Sequence, residues 1–162
     1  MSEIIKVGIA DINVVSPPDT IRTTGLGSCV GVILFDQKNK IAGMAHIMLP
    51  DSSLSKATAL TEGKYADTAI KSLYEMLIKL GANENTLKAK IAGGAQMFQF
   101  SSGNEMMRIG PRNVERVKEE LFTLGIPLIA SDTGGSNGRT IEFDPNNTLL
   151  TIKTVNAGTK VI

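Results

Sequence analysis

The chain contains one cysteine, Cys29, and one histidine, His46, and these two side chains are the strongest candidates for chemistry. A thiol beside an imidazole suits acyl transfer, because the imidazole removes the thiol proton and later protonates the leaving group. Cys29 follows the small-residue stretch TTGLGS at residues 23–28. Backbone N–H groups in such a stretch can bind the oxygen of an attacked carbonyl, so an oxyanion site is predicted at Gly27 and Ser28.

A predicted β-hairpin brings the two side chains together. Apolar segments at residues 30–35 and 41–49 are joined by a polar connection, residues 36–40, of the length that hairpins use. If the turn is centred between Gln37 and Lys38, Cys29 stands directly opposite His46, with Cβ atoms about 4.5–5.5 Å apart. The pair would then lower the pKa of the thiol. A register shifted by one residue would put the side chains on opposite faces.

Each candidate also has a purely structural interpretation. A free cysteine is among the residue types most often buried, and a lone histidine on an apolar strand is commonly a hydrogen-bonded core residue. A catalytic pair would need a third group to orient the imidazole. Thr23 and Thr24 lie in the predicted loop before Cys29, but spacing does not choose between them, and either could be a surface threonine.

Composition narrows the possible classes of protein. The 162 residues suit one domain, here residues 1–162, and the net charge of +1 with no basic run argues against nucleic acid as a partner. One cysteine and one histidine exclude an internal disulfide and a structural zinc site, so neither a metal nor a cofactor is expected. No P-loop or dinucleotide fingerprint is present. With no signal peptide and no apolar stretch of membrane length, we expect a cytoplasmic protein without membrane insertion.

The hydrophobic pattern predicts a mixed α/β (α+β) domain of layered sheets with about two helices and seven or eight strands. Helices are predicted over residues 63–80, with Gly81 as a stop, and from near Pro111 to Leu124. Residues 23–28 are predicted as a loop. Strands are predicted at residues 4–15, 30–35, 41–49, 87–91, 126–130, 140–143 and 149–155.

Several segments, in order along the chain, resemble the CheD family of chemoreceptor glutamine deamidases. They are TTGLGSC (23–29), AGMAHIMLPD (42–51), GKYAD (63–67), KIAGGAQMF (90–98), IGPRN (109–113) and DTGG (132–135). The resemblance implies a single-domain β/β/α sandwich with mixed sheets, similar to the cytotoxic necrotizing factor deamidases. It implies hydrolysis of glutamine side chains on the cytoplasmic helices of chemoreceptors, which tunes chemotactic adaptation, with Cys29 as nucleophile, His46 as general base and Thr23 as third member. It also implies a CheC-type phosphatase as partner.

Two other functions remain open at this point. The same cysteine and histidine could cleave a peptide bond or transfer an acyl group to an amine, as a cysteine protease or a transglutaminase does. Alternatively, the protein could act mainly by binding a receptor or a phosphatase. Phe98 and Phe100 carry two of the seven aromatic rings and are candidate anchors for a helical partner.

Overall fold

A computed structural model describes residues 2–54, 61–97 and 108–162. The helices in these ranges are α1 (Ala66–Lys79) and α2 (Ile109–Thr123), with short 3-10 turns at Ser52–Leu54 and Glu62–Lys64. The strands there are β1 (Ile4–Lys6), β2 (Ile12–Val15), β3 (Thr20–Leu26), β4 (Val30–Asp36), β5 (Ile41–Ile47), β6 (Leu87–Gly93), β7 (Leu128–Thr133), β8 (Arg139–Asp144), β9 (Leu149–Thr154) and β10 (Gly158–Val161).

The strands form two five-stranded mixed sheets. The first sheet has the order β1-β3-β8-β9-β10 and the second has the order β2-β5-β4-β6-β7. One edge pair in each sheet is parallel, β1 with β3 and β6 with β7, and the remaining pairs are antiparallel. The central β4 is the most apolar strand because it is buried along its whole length between the two layers that flank it.

Two hydrophobic cores lie on the two faces of the second sheet. Val32 and Leu34 of β4 pack with Leu73 of α1 and Leu121 of α2. On the other face, alternate residues of β4 pack against the first sheet, as Phe35 does against Phe143 with ring centroids 5.2 Å apart. The predicted β/β/α sandwich with mixed sheets is confirmed, and the second sheet is the shared middle layer.

Both predicted helices are confirmed, with changed starts. Residues 62–64 form a 3-10 turn before α1. A Cβ on Gly63 would lie 2.4 Å from the carbonyl oxygen of Ala10, so this turn packs closely against the backbone before β2. Helix α2 begins at Ile109, which places Pro111 in its first turn, where a missing N–H costs nothing. No helix in the described ranges is long and apolar enough to cross a membrane.

Three strand predictions are wrong in detail. Residues 4–15 form two strands in different sheets, β1 and β2, because the chain turns at Gly8–Ala10, where Ala10 has a φ of 62°. Residues 23–26, predicted as part of a loop, belong to β3, and the last strand, β10, was not predicted. The described chain therefore has more strands than the seven or eight expected.

Candidate active site

Thr23 and His46 meet between the two sheets. Oγ1 of Thr23 lies 2.7 Å from Nδ1 of His46 and 2.7 Å from the carbonyl oxygen of Val7. The carbonyl can only accept, so the single hydroxyl proton of Thr23 is donated to Val7, and Oγ1 must accept from an Nδ1–H. This chain of hydrogen bonds assigns the tautomer in which Nε2 of His46 carries a lone pair.

Thr23 reaches the imidazole because it lies on a strand rather than in a loop. Its side chain is 2% exposed, whereas Thr24 is exposed to solvent. The strand carries a β-bulge between Thr23 and Leu26, and Gly25 within it has a φ of 72°. A bulge twists and bends its strand, so the chain changes direction at the end of β3, just before Cys29. Of the two threonines, Thr23 is the one that contacts His46.

His46 is held at the end of β5 from two sides. Within the second sheet it pairs with Gly31 of β4, and its backbone N–H and carbonyl bond to Asp11 and Ala10 of the turn before β2. A Cβ on Gly31 would lie 2.5 Å from Cδ1 of Ile141 in the facing sheet, so the first sheet approaches closely beside the imidazole.

The predicted pairing of Cys29 with His46 is therefore wrong by two residues. The turn is centred between Lys38 and Asn39 rather than between Gln37 and Lys38. Cys29 precedes β4, two positions before Gly31, and its side chain packs into the core between the sheets that also receives His46. Because a shift by two preserves the face, both side chains still point to the same layer.

Burial controls the charge of both groups. His46 is fully buried, and burial lowers the pKa of its imidazole because the charged form loses its hydration. Nε2 of His46 has no hydrogen-bond partner among the described residues. The lowered pKa favours the neutral imidazole, and the thiol of Cys29 does not hydrogen-bond with its Nε2.

Cys29 is half-buried, and burial raises the pKa of its thiol, an effect that its own backbone N–H partly offsets. The predicted lowering of the thiol pKa is wrong, because burial is the largest effect on Cys29 and raises its pKa, and His46 contributes no opposing charge. Both pKa shifts favour the uncharged forms, a thiol and a neutral imidazole.

The backbone around Cys29 is anchored through two of its carbonyls. The carbonyl oxygen of Gly27 accepts from the N–H of Ala95 at 2.9 Å, and that of Cys29 accepts from the N–H of Gly94 at 2.8 Å. The N–H of Gly27, one of the predicted oxyanion donors, donates to the carbonyl oxygen of Gly25 at 3.1 Å. Apart from the contact of the Cys29 N–H with its own thiol, the N–H groups of Ser28 and Cys29 donate to no residue in the described ranges.

Asn113 is a further functional candidate that the sequence patterns did not indicate. Its side chain is fully buried, and Nδ2 donates to the carbonyl oxygens of Ser28 at 3.0 Å and Met48 at 2.9 Å. The available signal was an asparagine on the buried stripe of α2, between Gly110 and Val117. A polar residue at such a position requires partners that the stripe itself cannot provide.

The remaining predicted features can be placed briefly. Phe98 and Phe100 lie outside the described residues. Within the part of the chain that the structure describes, no cluster of histidine, cysteine and acidic residues is arranged to bind a metal ion.

Comparison with known proteins finds relatives along the whole chain. The family model for CheD chemotactic sensory transduction matches residues 48–154, which begin after His46. The chain is 60% identical over 162 residues to the chemoreceptor glutamine deamidase CheD of Halalkalibacterium halodurans, covering all of both proteins. It is 55% identical over 159 residues to the protein of that name from Bacillus subtilis, covering 98% of this chain and 96% of that one. The full-length alignment includes the segment from Thr23 to His46.

Proposed function

Because the chain belongs to the CheD family, we propose that it deamidates chemoreceptors, hydrolysing glutamine side chains to glutamate and ammonia. The relatives that match it from end to end are named for this activity. The observation that supports the chemistry is the hydrogen-bond chain from Val7 through Thr23 to His46, which leaves Nε2 free to act as a base.

The first half of the proposed reaction forms a thioester. Nε2 of His46 takes the thiol proton as the sulfur of Cys29 attacks the amide carbon of the substrate. The carbonyl oxygen gains negative charge and is bound by the N–H groups of Ser28 and Cys29. The imidazolium then gives its proton to the amide nitrogen, the carbon–nitrogen bond breaks and ammonia leaves.

The second half returns the enzyme to its starting state. Water loses a proton to Nε2 of His46 and attacks the thioester carbon, the carbon–sulfur bond breaks, and the thiol of Cys29 recovers the proton. Thr23 keeps Nδ1 protonated and the ring oriented in both halves, a role that acidic or amide side chains have in other triads. The residues proposed to act together are Cys29, His46 and Thr23.

The proposed substrate is the cytoplasmic helical region of a chemoreceptor, and the proposed location is the cytoplasm. Conversion of a neutral glutamine to a charged glutamate would tune adaptation by changing the charge on the receptor helix. A CheC-type phosphatase is proposed as a second partner, on the strength of the sequence resemblance, and co-purification of the two proteins is the measurement for it.

A receptor fragment incubated with the protein tests the proposed activity. We expect ammonia release equal to the number of glutamines converted, with the receptor chain intact by mass spectrometry. Two shorter fragments would instead indicate a protease, and ammonia release that requires an added amine would indicate a transglutaminase. Absence of ammonia and of any mass change under conditions where the protein is folded would refute the proposal.

A further inference from the structure

We propose that Asn113 is a positioning residue for deamidation, which orients the Ser28–Cys29 peptide so that the N–H of Cys29 faces the developing oxyanion. This inference rests on the proposed function, since it assigns a part in that reaction. Asn113 itself would touch neither the substrate nor the reacting atoms.

The contacts of Asn113 assign the orientation of its amide. Its side chain is 0% exposed, and both groups it meets, the carbonyls of Ser28 and Met48, can only accept hydrogen bonds. The NH2 end must therefore face them. One side chain from α2 thus holds the backbone just before Cys29 and the backbone two residues after His46.

The geometry of the Ser28–Cys29 peptide links the contact at the Ser28 carbonyl to the direction of the Cys29 N–H. In a planar trans peptide the carbonyl and the N–H point in opposite directions, and the Ser28–Cys29 bond is trans. Since Asn113 binds the carbonyl of Ser28 from the α2 side, the N–H of Cys29 points away from α2. Apart from its contact with the thiol of its own residue, that N–H donates to no described residue.

The hydrogen bond from Asn113 to the carbonyl of Ser28 can be removed by mutation, because a side chain makes it. The carbonyls on either side, those of Gly27 and Cys29, are held by backbone N–H groups of Ala95 and Gly94, which substitutions do not remove. Replacing Asn113 therefore releases the middle peptide while its neighbours stay anchored. We expect that peptide to rotate and its N–H to leave the oxyanion position.

The first experiment compares Asn113→Ala with Val117→Ala, a control one turn further along the same buried stripe of α2. For Asn113→Ala we expect kcat for receptor deamidation to fall about 10–100-fold, with KM little changed. Alkylation of Cys29 by iodoacetamide needs no oxyanion site, so its rate should fall much less than kcat, by no more than the rise in thiol pKa that loss of the Cys29 N–H contact causes. Val117→Ala should retain both rates.

Two results would overturn the assignment. One is a kcat for Asn113→Ala equal to that of Val117→Ala. The other is a parallel loss of deamidation and alkylation, which would mean that Asn113 only maintains the fold around the thiol. Failure of the proposed function itself would be distinct, because the wild type would then release no ammonia.

A second measurement uses the wild-type protein and does not depend on the folding of a variant. A peptide whose glutamine side-chain amide is replaced by an aldehyde adds to the thiol, sulfur to carbon and proton to oxygen, which places an oxygen at the oxyanion position. We expect the amide proton of Cys29 to shift downfield and exchange more slowly with solvent. An unchanged Cys29 amide signal in the adduct would refute the proposal.

Discussion

The hydroxyl of Thr23 lies 2.7 Å from Nδ1 of His46, and the two residues belong to different sheets of the sandwich. The imidazole proposed as the catalytic base is therefore oriented across the interface between two layers. Because the hydroxyl also donates to Val7, the contact determines which nitrogen of the imidazole is protonated. The predictions below follow from that tautomer and from the burial around it.

Removing the hydroxyl of Thr23 should impair the base. Thr23→Val keeps the shape of the side chain but leaves Nδ1–H without its acceptor, so we expect kcat to fall by about 100-fold. Thr23→Ser should retain most activity. Loss of the donor to Val7 should also cost about 1–3 kcal/mol of unfolding free energy.

The matched control for that variant is Thr24→Val, which changes the neighbouring, exposed threonine. It should leave both kcat and unfolding free energy near the wild-type values. Wild-type kcat in Thr23→Val would contradict the assigned tautomer.

Activity should persist at acidic pH because the base is buried. Burial lowers the pKa of His46 below its ordinary 6.5, and only the neutral imidazole accepts a proton. The acidic limb of the kcat/KM profile should therefore lie below pH 6.5. A limb above pH 6.5 would show instead that a negative charge, such as a thiolate, stabilises the imidazolium.

The same burial should make stability depend on pH. His46 binds a proton more readily unfolded than folded, so the unfolding free energy should fall as pH drops below 6.5 and continue to fall down to the folded-state pKa. Urea unfolding of the wild type and of His46→Gln at several pH values measures this. The difference in unfolding free energy between the two proteins should change over that range. A difference that does not depend on pH would contradict the prediction.

The thiol should react slowly at neutral pH in the absence of substrate. Burial raises the pKa of Cys29 above 9.0, and no other thiol in the chain competes for reagent. The rate of alkylation by iodoacetamide should therefore rise with pH to a midpoint above 9.0. A midpoint below 9.0 would reveal a resting ion pair with the imidazole.

Close contact between the sheets should matter for catalysis as well as for stability. Gly31→Ala would place a Cβ against Ile141 beside His46, whereas Gly43→Ala would place one 2.4 Å from Cδ1 of Leu73 in α1, on the opposite face of the same sheet. Each should lose about 1–3 kcal/mol of unfolding free energy. Only Gly31→Ala should also reduce kcat at a temperature where both variants are folded. Equal kcat values would contradict a role for the inter-sheet contact.

The predictable parts of the fold are those with local signals. Both helices followed from apolar spacing and from glycines at their ends, and the antiparallel hairpin followed from two apolar runs around a polar connection. The hairpin register did not follow. Lys40 takes a φ of 53° at the end of the turn, and Asp36 binds the backbone N–H groups of Lys38 and Asn39, features that composition does not indicate.

The candidate site was only partly predictable. Cys29 and His46 stood out because each is the sole residue of its type, and the resemblance to a family indicated Thr23. Placing Thr23 on a strand required the pairing of β3 with β8, which lies more than a hundred residues further along the chain. Asn113 could not be assigned a role, because its partners are backbone carbonyls whose positions depend on the packing of α2 against the second sheet.

The central claim is that Cys29 carries the acyl group during deamidation, and the most direct test is to trap that species. A receptor peptide is mixed with excess enzyme, quenched in acid and analysed by mass spectrometry. We predict an adduct on Cys29 equal to the peptide mass less ammonia and released by hydroxylamine, and no adduct or deamidation with Cys29→Ala. Deamidation by Cys29→Ala at the wild-type rate would contradict the account.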